Sequence, residues 1–433
     1  MKNERISRRY FLSATAVGTG VSAFADTQGA AAKAVKREGA DAADLTIKEV
    51  KLYTLRQDSR EGGGTHHRGQ TTTQLLGIVT NAGIEGNFAG IDYSSGRDAG
   101  LLEYAKDLLI GRSVLDLPAF TSVWDPTRRR HPASPFAARI DYCLWDIMGK
   151  AANLPVYKLL GAYRDRVLAY ASSMHLNTVE DFVEDVKRAK AEGYKGYKIH
   201  PPWVNARPGA QIGSPTTLVP NQGKLKLGGV DLNLDMEVVK AVRATAGDDI
   251  MLLHDRVGAY TRDQALKMGR LLDRLNFVAM EDPLPSVDIA GLAELCQRID
   301  TPVHMGEMFY SIYDYDAYIR ARALDVVRFI GAFVGGITGG MKLAKMAECF
   351  GMECAPHNYG DTYEHAVHFH CELAMPNNIW FEMMQPTGVA DNPYVKDKLR
   401  IDKDGYVHAL PKPGLGLEID RGILDNLLVK IDS

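Results

Sequence analysis

The sequence predicts an α/β protein in which a parallel β/α barrel follows a smaller α+β domain. From Arg166 onward, eight short apolar runs alternate with amphipathic stretches, as the strands and helices of a β/α barrel do. Before Arg166, two segments of alternating polarity precede a long helical pattern, which is the order expected of an α+β domain. The two patterns together predict two domains.

The composition is that of a globular protein. The chain has 433 residues, of which 45% are hydrophobic and 24% charged, enough for a large core. A net charge of −3 gives no electrostatic reason to expect a nucleic acid or an anionic membrane surface as a partner. The five cysteines are scattered, without the spacing of a zinc site, and we interpret them as buried thiols.

The first 25 residues resemble a twin-arginine export signal. Arg8 and Arg9 precede a weakly apolar run from Leu12 to Phe24, and residues 23–25 fit a small-x-small cleavage site. The run is shorter than the roughly 20 residues that a membrane span requires. We therefore expect a periplasmic protein that has no membrane span once residues 1–25 are removed. A basic leader without a targeting role is the alternative, and residues 26–45 are predicted to be a linker.

The α+β domain is predicted to begin with two strands, at residues 46–55 and 74–80. Between them, residues 60–69 form a glycine-rich, cationic loop. From residue 100 to about residue 158, apolar residues three and four apart predict helices. The predicted barrel strands that follow are residues 167–172, 194–200, 250–255, 277–281, 303–307, 326–330, 353–357 and 379–382.

Three carboxylates recur at equal intervals along the predicted barrel. Asp255, Glu281 and Glu307 lie 26 residues apart, and each ends an apolar run. One βα unit needs about 25–30 residues, so we expect the three side chains to converge at the carboxyl ends of neighbouring strands. Converging anions repel one another unless a cation lies among them, and oxygen ligands favour Mg²⁺, with Mn²⁺ as the alternative. Taken singly, each acid is equally well explained as a solvated loop charge.

Basic side chains are predicted at the same mouth of the barrel. Lys198 and His200 share one face of their strand, because side chains alternate across a strand. His357 ends a later run, and Glu382 follows 25 residues after it. The alternatives are a surface lysine, a loop histidine and an ordinary strand acid for Lys198, His357 and Glu382.

The step from Lys198 to Asp255 spans 57 residues, about twice the interval between the carboxylates. The excess lies in residues 201–229, which are rich in proline, glycine, asparagine and lysine. We interpret this segment as an inserted loop at the mouth of the barrel. It is either a lid that contacts the substrate or a plain surface insertion.

Several motifs identify a family resemblance. Residues 139–161 resemble the signature helix, and its exit, of the mandelate racemase/muconate lactonizing enzyme branch of the enolase superfamily. Residues 280–283, 306–307 and 335–338 are similarly close to motifs of that branch. The resemblance extends from about residue 46 to the C-terminus. It implies a capping domain, formed by residues 46–160 and completed by 385–433, over a modified (β/α)7β barrel at residues 161–384.

The resemblance also implies an activity. Enzymes of this branch remove the proton next to a carboxylate of a small-molecule substrate and form an enolate, which one Mg²⁺ per active site stabilises. Family members are often octameric or dimeric, so a homo-oligomer is expected. Substrate specificity often depends on the capping loops, which makes His66, His67 and Arg68 candidates for binding an acidic sugar. Glu382 occupies a position that often hydrogen-bonds the substrate carboxylate.

Two residues depart from the family pattern. The strand that commonly carries Lys-x-Lys ends here in Lys198, Ile199 and His200, so an imidazole stands in the place of the usual base. Ile330 occupies the position from which an aspartate often supports the later histidine. We therefore expect His200, assisted by Lys198, to be the base, and His357 to be the proton donor or a group aided by another partner. The sequence leaves open which of Lys198, His200 and His357 is the base.

Three functions are compatible with these residues. A sugar-acid dehydratase that forms a 2-keto-3-deoxy acid is the preferred hypothesis, since different groups on opposite faces suit the removal of a proton and a hydroxide. A racemase, epimerase or cycloisomerase of a sugar acid or its lactone would use the same enolate. The third hypothesis is a non-catalytic carbohydrate-binding relative, and the retained metal-binding acids argue against it.

Overall fold

The computed structural model describes residues 44–57, 71–90, 98–116, 135–202, 219–221, 224–226 and 229–433. The strands in this part of the chain are β1 (Ile47–Gln57), β2 (Thr71–Thr80), β3 (Glu85–Ala89), β4 (Arg166–His175), β5 (Gly196–His200), β6 (Val219–Asn221), β7 (Lys224–Lys226), β8 (Met251–Asp255), β9 (Phe277–Glu281), β10 (Val303–Met305), β11 (Val326–Phe329), β12 (Glu353–Pro356), β13 (Trp380–Met384), β14 (Tyr406–His408) and β15 (Leu428–Asp432).

The helices in the same segments follow the strands that they connect. They are α1 (Asp98–Leu109), α2 (Pro135–Ala152), α3 (Val156–Leu159), α4 (Val179–Glu192), α5 (Leu232–Ala246), α6 (Arg262–Arg274), α7 (Ile289–Cys296), α8 (Asp314–Ala321), α9 (Gly331–Val334), α10 (Gly336–Cys349), α11 (Thr362–Ala374) and α12 (Arg421–Leu427), with a 3₁₀ turn at Val114–Asp116.

The first sheet is antiparallel, in the order β15-β1-β2-β3. The chain's last strand pairs with its first described strand, with Tyr53 opposite Ile431. The C-terminal tail therefore packs against the first sheet.

Helix α2 contacts both the first sheet and the helices of the barrel. The Cys143 thiol lies 3.7 Å from the carbonyl oxygen of Leu76 in β2. The Asp141 carboxylate accepts a hydrogen bond from the amide of Thr338 in α10 at 3.1 Å.

The second sheet is a nearly closed parallel barrel. Its ladder runs in the order β12-β11-β10-β9-β8-β5-β4-β13, and β14 pairs antiparallel with β4. Between β12 and β13, the amide of Cys354 donates to the carbonyl of Asn377 at 2.9 Å, and the side chain of Asn378 donates back to the carbonyl of Cys354 at 3.2 Å. The predicted fold class, an α/β barrel with an α+β capping domain, is confirmed.

Local sequence explains why the barrel helices begin and end where they do. Thr178 caps α4: its hydroxyl accepts from the amide of Asp181, whose carboxylate accepts in return from the amide of Thr178. Gly193 ends the same helix in the left-handed conformation, with a φ of 105°. Helix α6 begins with the same reciprocal arrangement between Thr261 and Gln264. These caps fix the helices that carry the chain from one strand to the next.

The predicted strand bounds hold within a few residues, with one difference at the third carboxylate. Strand β10 ends at Met305, so Glu307 lies two residues beyond the strand instead of at its end. Gly306 makes the intervening turn with a φ of 121°, and a Cβ there would lie 2.5 Å from Tyr315 Cε1 and 2.7 Å from the carbonyl oxygen of Arg328. The turn directs Glu307 back towards the barrel axis.

Three predictions fall largely outside the described residues. Residues 1–43 and the loop with His66, His67 and Arg68 are among them. Of the inserted segment at 201–229, the structure describes chiefly a short hairpin of β6 and β7, so its role as a lid or as a surface insertion stays a prediction. None of the helices in the described segments combines the length and the apolar composition needed to cross a membrane.

Candidate active site

Three carboxylates converge at the carboxyl ends of neighbouring barrel strands. Asp255 and Glu281 are the last residues of β8 and β9 and lie opposite each other in the ladder. Glu307 reaches the same place from the turn after β10. One ligand oxygen from each residue lies within 4.8 Å of the other two, and all three side chains are buried. The spacing of 26 residues thus corresponds to one step around the barrel.

The charge around these carboxylates is unbalanced. Asp282 and Glu382 are also buried beside them, so five acids surround the permanent cations Lys198 and Arg328 in this part of the described structure. Burial, reinforced by the charges of Asp255 and Glu281, raises the pKa of Asp282 well above its usual value. Such an excess of buried negative charge is stabilised by a bound cation.

Of the three carboxylates, Glu307 receives the weakest contacts from the rest of the described protein. Its Oε2 accepts no hydrogen bond from the residues that the structure describes, and two basic nitrogens lie beyond hydrogen-bond distance, Arg328 Nε at 3.6 Å and His357 Nε2 at 3.7 Å. Burial, and then the charges of Asp282 and Glu281, raise the pKa of Glu307 well above its usual value. An orphaned carboxylate oxygen in an all-oxygen donor set fits a hard divalent cation.

Asp255 is held from two sides. Its Oδ1 accepts a hydrogen bond from the amide of Val257 at 2.8 Å, and its Oδ2 lies 3.0 Å from His200 Nε2. Burial alone would raise the pKa of Asp255, but the charge and hydrogen bond of His200, with the charge of Lys198, outweigh it and lower that pKa. The carboxylate is therefore ionised and fixed in orientation.

His200 presents one defined nitrogen to this cluster. Its Nδ1 lies 2.7 Å from the carbonyl oxygen of Ser173, which can only accept, so Nδ1 carries a proton. Nε2 then faces Asp255, 3.0 Å from its Oδ2. About 15% of the side chain is exposed.

His357 lies on the other side of the carboxylates. It follows β12, and its amide donates to the carbonyl of Phe329 at 2.8 Å. Its Nε2 is 3.7 Å from Glu307 Oε2, and its Nδ1 has no hydrogen-bond partner in the described segments. The sequence predicted that no aspartate supports this histidine from position 330. The structure agrees, since Ile330 is buried and supplies no carboxylate. Burial lowers the pKa of His357 to about 4, so its imidazole is neutral at neutral pH.

Lys198 and Glu382 lie deeper in the barrel than the two histidines. Lys198 is completely buried, with Nζ 2.6 Å from Glu382, 3.1 Å from Glu281 and 3.7 Å from Asp255. Burial alone would lower the pKa of Lys198, but the charges of Glu281 and Glu382 outweigh it and raise that pKa well above its usual value. The ammonium group is therefore a fixed charge. The predicted roles of Lys198 as an assisting residue and of Glu382 as a substrate ligand stay predictions.

Arg328 is a site residue that sequence reasoning missed. It lies in the middle of β11, is 1% exposed, and places Nε 2.7 Å from Glu281 Oε1 and Nη2 2.8 Å from Glu382 Oε2. The sequence does hold one indication of its place. Arg328 is two residues before Ile330, so the two side chains share one face of the strand, the face that leads to the mouth of the barrel. An arginine inside an apolar run is costly to bury unless it is paired.

Arg256 is a second residue that the sequence did not assign to the site. Its guanidinium is completely buried, with Nε 3.1 Å from Asp235 Oδ2 and the terminal nitrogens 3.4 and 3.2 Å from the carbonyl oxygens of Pro201 and Pro202. Arg256 follows Asp255, and Pro201 follows His200. The guanidinium thus connects the segment that contains Asp255 with the segment that contains His200.

The comparisons with known proteins agree with this geometry. Residues 63–161 match the model of the mandelate racemase/muconate lactonizing enzyme N-terminal domain, and residues 181–423 match the enolase C-terminal domain-like model. A D-mannonate dehydratase of Caulobacter sp. strain K31 is 30% identical over 379 residues, which cover 80% of this chain and 89% of the relative. The L-talarate/galactarate dehydratase of Salmonella typhimurium strain LT2 is 28% identical over 364 residues, which cover 81% and 82% of the two chains.

The solved structures of similar proteins have the same fold. The D-glucarate dehydratase of Agrobacterium tumefaciens, whose crystal structure is a complex with magnesium, is 29% identical to this chain and superposes with a TM-score of 0.76. The match covers 89% of this chain and 100% of that one. The homologues are therefore sugar-acid dehydratases with the same architecture. The chain belongs to the mandelate racemase/muconate lactonizing enzyme family of the enolase superfamily.

Proposed function

We propose that the protein is a divalent-metal-dependent dehydratase that converts a sugar acid to a 2-keto-3-deoxy acid. The observation that carries this proposal is the cluster of Asp255, Glu281 and Glu307 with an imidazole on either side, His200 at Asp255 and His357 at Glu307. The substrate class is supported by the relatives, which act on D-mannonate, L-talarate or galactarate, and D-glucarate.

Asp255, Glu281 and Glu307 would hold the metal ion, with Mg²⁺ as the ion that suits three carboxylates. When bound, a divalent cation neutralises the negative charge that develops on the substrate's carboxylate oxygens as the α-proton leaves. The proton next to a carboxylate is otherwise far too weakly acidic for a side-chain base. This requirement links the acids to the histidines in one reaction.

The two imidazoles supply the proton transfers. In the neutral ring, which carries its proton on Nδ1, His200 Nε2 takes the α-proton, while the hydrogen bond from Nδ1 to the carbonyl oxygen of Ser173 keeps the ring oriented. The electron pair of the broken C–H bond forms the C=C bond, and the β-hydroxyl leaves with the electrons of its C–O bond. His357 must first take up a proton, since its ring is neutral at neutral pH, and it then donates that proton to the leaving group, which departs as water. The resulting enol loses its hydroxyl proton at carbon 2 and takes up a proton at carbon 3, and so becomes the 2-keto acid.

Two alternatives use the same groups. Because His357 is neutral at neutral pH, it is also able to act as the base, in which case His200 would be the donor. A racemase, epimerase or cycloisomerase would return a proton to the substrate and release no water. The products distinguish elimination from isomerisation, and variants of the two histidines distinguish the proton paths.

The proposal is tested by screening purified protein with aldonic, aldaric and uronic acids, including D-mannonate, galactarate and D-glucarate, and assaying 2-keto products. We expect a product that requires Mg²⁺, disappears with a chelator and returns when Mg²⁺ is restored. The variant Glu281→Gln is expected to lose this activity, because it removes one charge of the donor set. No 2-keto product across the whole panel, or activity in Glu281→Gln equal to that of the wild type, would contradict the proposal.

Three further points are proposals that rest on the sequence and the family. Residues 1–25 direct twin-arginine export, which would place the enzyme in the periplasm. The loop with His66, His67 and Arg68 binds the polyhydroxy part of the substrate. The active protein is a homo-oligomer. The residues concerned in the first two lie outside the described segments.

A further inference from the structure

In contact with the metal-binding carboxylates lies a group of buried ions, which we call the inner layer: Lys198, Arg328 and Glu382. None of the three is more than 2% exposed, whereas about 15% of the His200 side chain and 14% of the His357 side chain are exposed. The inner layer is therefore less accessible to solvent than the two histidines.

Glu382 has no acceptor site left for a ligand. Its Oε1 accepts from the hydroxyl of Ser172 at 2.8 Å and from Lys198 Nζ at 2.6 Å. Its Oε2 accepts from Arg328 Nη2 at 2.8 Å and from the amide of Asn358 at 3.1 Å. A carboxylate offers about four acceptor sites, and in Glu382 the protein fills all of them.

The two cations bound to Glu382 also contact a metal-binding acid. Lys198 Nζ lies 3.1 Å from Glu281 Oε2, and Arg328 Nε lies 2.7 Å from Glu281 Oε1. Each oxygen of Glu281 thus has one cation of the inner layer beside it. Without the charge of Glu382, both cations would depend on Glu281 and its neighbours for their only counter-charges, and they would compete with a metal ion for those oxygens.

We propose that Glu382 is a positioning residue of the metal centre and does not bind the substrate. It acts through Lys198 and Arg328, by supplying the counter-charge that leaves Glu281 able to bind a metal ion. The inference rests on the metal-dependent function proposed above. It differs from the substrate-binding role that the family resemblance implies for this position, because the contacts of Glu382 all point into the protein.

The two roles predict different results for Glu382→Gln, which keeps the size of the side chain and removes its charge. A positioning role predicts that Mg²⁺ binding in the absence of substrate weakens by about 10- to 100-fold, the usual effect of removing a partner behind a metal ligand. It also predicts that KM, measured at saturating Mg²⁺, stays close to the wild-type value. A substrate-binding role predicts unchanged Mg²⁺ binding and a raised KM.

The test is isothermal titration of Mg²⁺ into substrate-free protein. The matched control is Glu353→Gln, which removes an exposed glutamate at the opposite end of the barrel and is expected to leave Mg²⁺ binding unchanged. Ser172→Ala is a milder variant that removes one hydrogen bond from Glu382 Oε1 and keeps every charge, so we expect a several-fold weakening. Circular dichroism verifies that each variant is folded.

Wild-type Mg²⁺ binding in a folded Glu382→Gln protein would overturn the inference and leave the proposed function intact. If Glu382→Gln does not fold, Ser172→Ala decides: wild-type Mg²⁺ binding in that variant overturns the inference, and weakened binding supports it. A wild-type protein that binds no Mg²⁺ would instead overturn the proposed function, and the inference with it.

Discussion

Gly306 determines where Glu307, the third acid of the carboxylate cluster, lies. The residue adopts a φ of 121°, a region that side-chain-bearing residues rarely occupy, and its Cα faces Tyr315 and the carbonyl oxygen of Arg328. The second constraint comes from the close packing of the turn against neighbouring elements. Glu307 follows directly and depends on this turn to reach the other two acids.

Gly306→Ala is therefore expected to destabilise the protein through both strain and overlap. A matched control is Gly351→Ala, where φ is 69° but no atom lies within 4 Å of the added Cβ. The control is expected to lose about 1–2 kcal/mol in the free energy of unfolding, from backbone strain alone. Gly306→Ala should lose a further amount of about 1–3 kcal/mol, from overpacking. Urea unfolding measures both, and equal losses would mean that the overlap is relieved without cost.

The sequence predicts residues whose spacing repeats and misses residues whose role depends on three-dimensional pairing. Asp255, Glu281 and Glu307 were predictable because one βα unit has a nearly constant length. Arg328 was not, since it lies inside an apolar run, and only the fold reveals the carboxylates that offset its charge. Arg256 was missed for the same reason, because its partner Asp235 is on a helix that precedes the strand.

At the scale of elements, α11 is unusual because every residue from Thr362 to Ala374 is buried. It carries three histidines, and burial lowers the pKa of His365 to about 4, of His368 to about 3 and of His370 to about 4. His368 is fixed as the neutral form, since its Nε2 accepts from the amide of Gly331 and its Nδ1 then donates to the side chain of Asn358. The helix therefore requires neutral imidazoles.

This requirement predicts a loss of stability in acid. An unfolded histidine takes up a proton near pH 6.5, whereas those of α11 resist protonation until about pH 3–4. Each one therefore contributes stability that is fully present above pH 6.5 and is lost as the pH falls towards the folded pKa. Between these two pKa values, each histidine lowers the free energy of unfolding by about 1.4 kcal/mol for every unit by which the pH falls.

The test compares the wild type with the variant His370→Asn. The amide oxygen of the asparagine can still accept the hydrogen bond that the amide of Tyr157 donates to His370 Nδ1. Between pH 6 and pH 4.5, the free energy of unfolding of this variant should fall less steeply than that of the wild type, by about 1.4 kcal/mol per pH unit. Urea unfolding across the pH range measures the slopes. Identical slopes would mean that His370 titrates alike in the folded and unfolded chains.

The strands of the barrel were easier to predict than the connections between them. Each strand from β8 to β12 is a short apolar run that ends in a turn, and local pattern suffices to find it. The inserted segment between β5 and α5 has no such pattern. Its described part, the hairpin of β6 and β7, is too short to leave a recognisable period in the sequence.

At the scale of the whole molecule, the two domains are joined by contacts between distant parts of the chain. Strand β15 completes the first sheet by pairing with β1, and α2 contacts both that sheet and α10. Local pattern does not specify such pairings, so the sequence predicted only that the tail packs back on the first domain. The eight-strand barrel was predictable because it repeats one unit, and the repeat brings the acids and histidines to one mouth.

In the proposed reaction, a metal held by Asp255, Glu281 and Glu307 allows His200 to remove the α-proton of a bound sugar acid. Its most direct test is NMR detection of deuterium at the α-carbon of a substrate identified in the acid-sugar screen, incubated in heavy water with the variants His357→Asn and His200→Asn. His357→Asn should incorporate deuterium in the presence of Mg²⁺ without forming product, because proton removal is intact and loss of the hydroxyl is blocked. This exchange should disappear with a chelator and be absent from His200→Asn. Exchange in His200→Asn but not in His357→Asn would reverse the assignment, and exchange that persists without a divalent metal would contradict the claim itself.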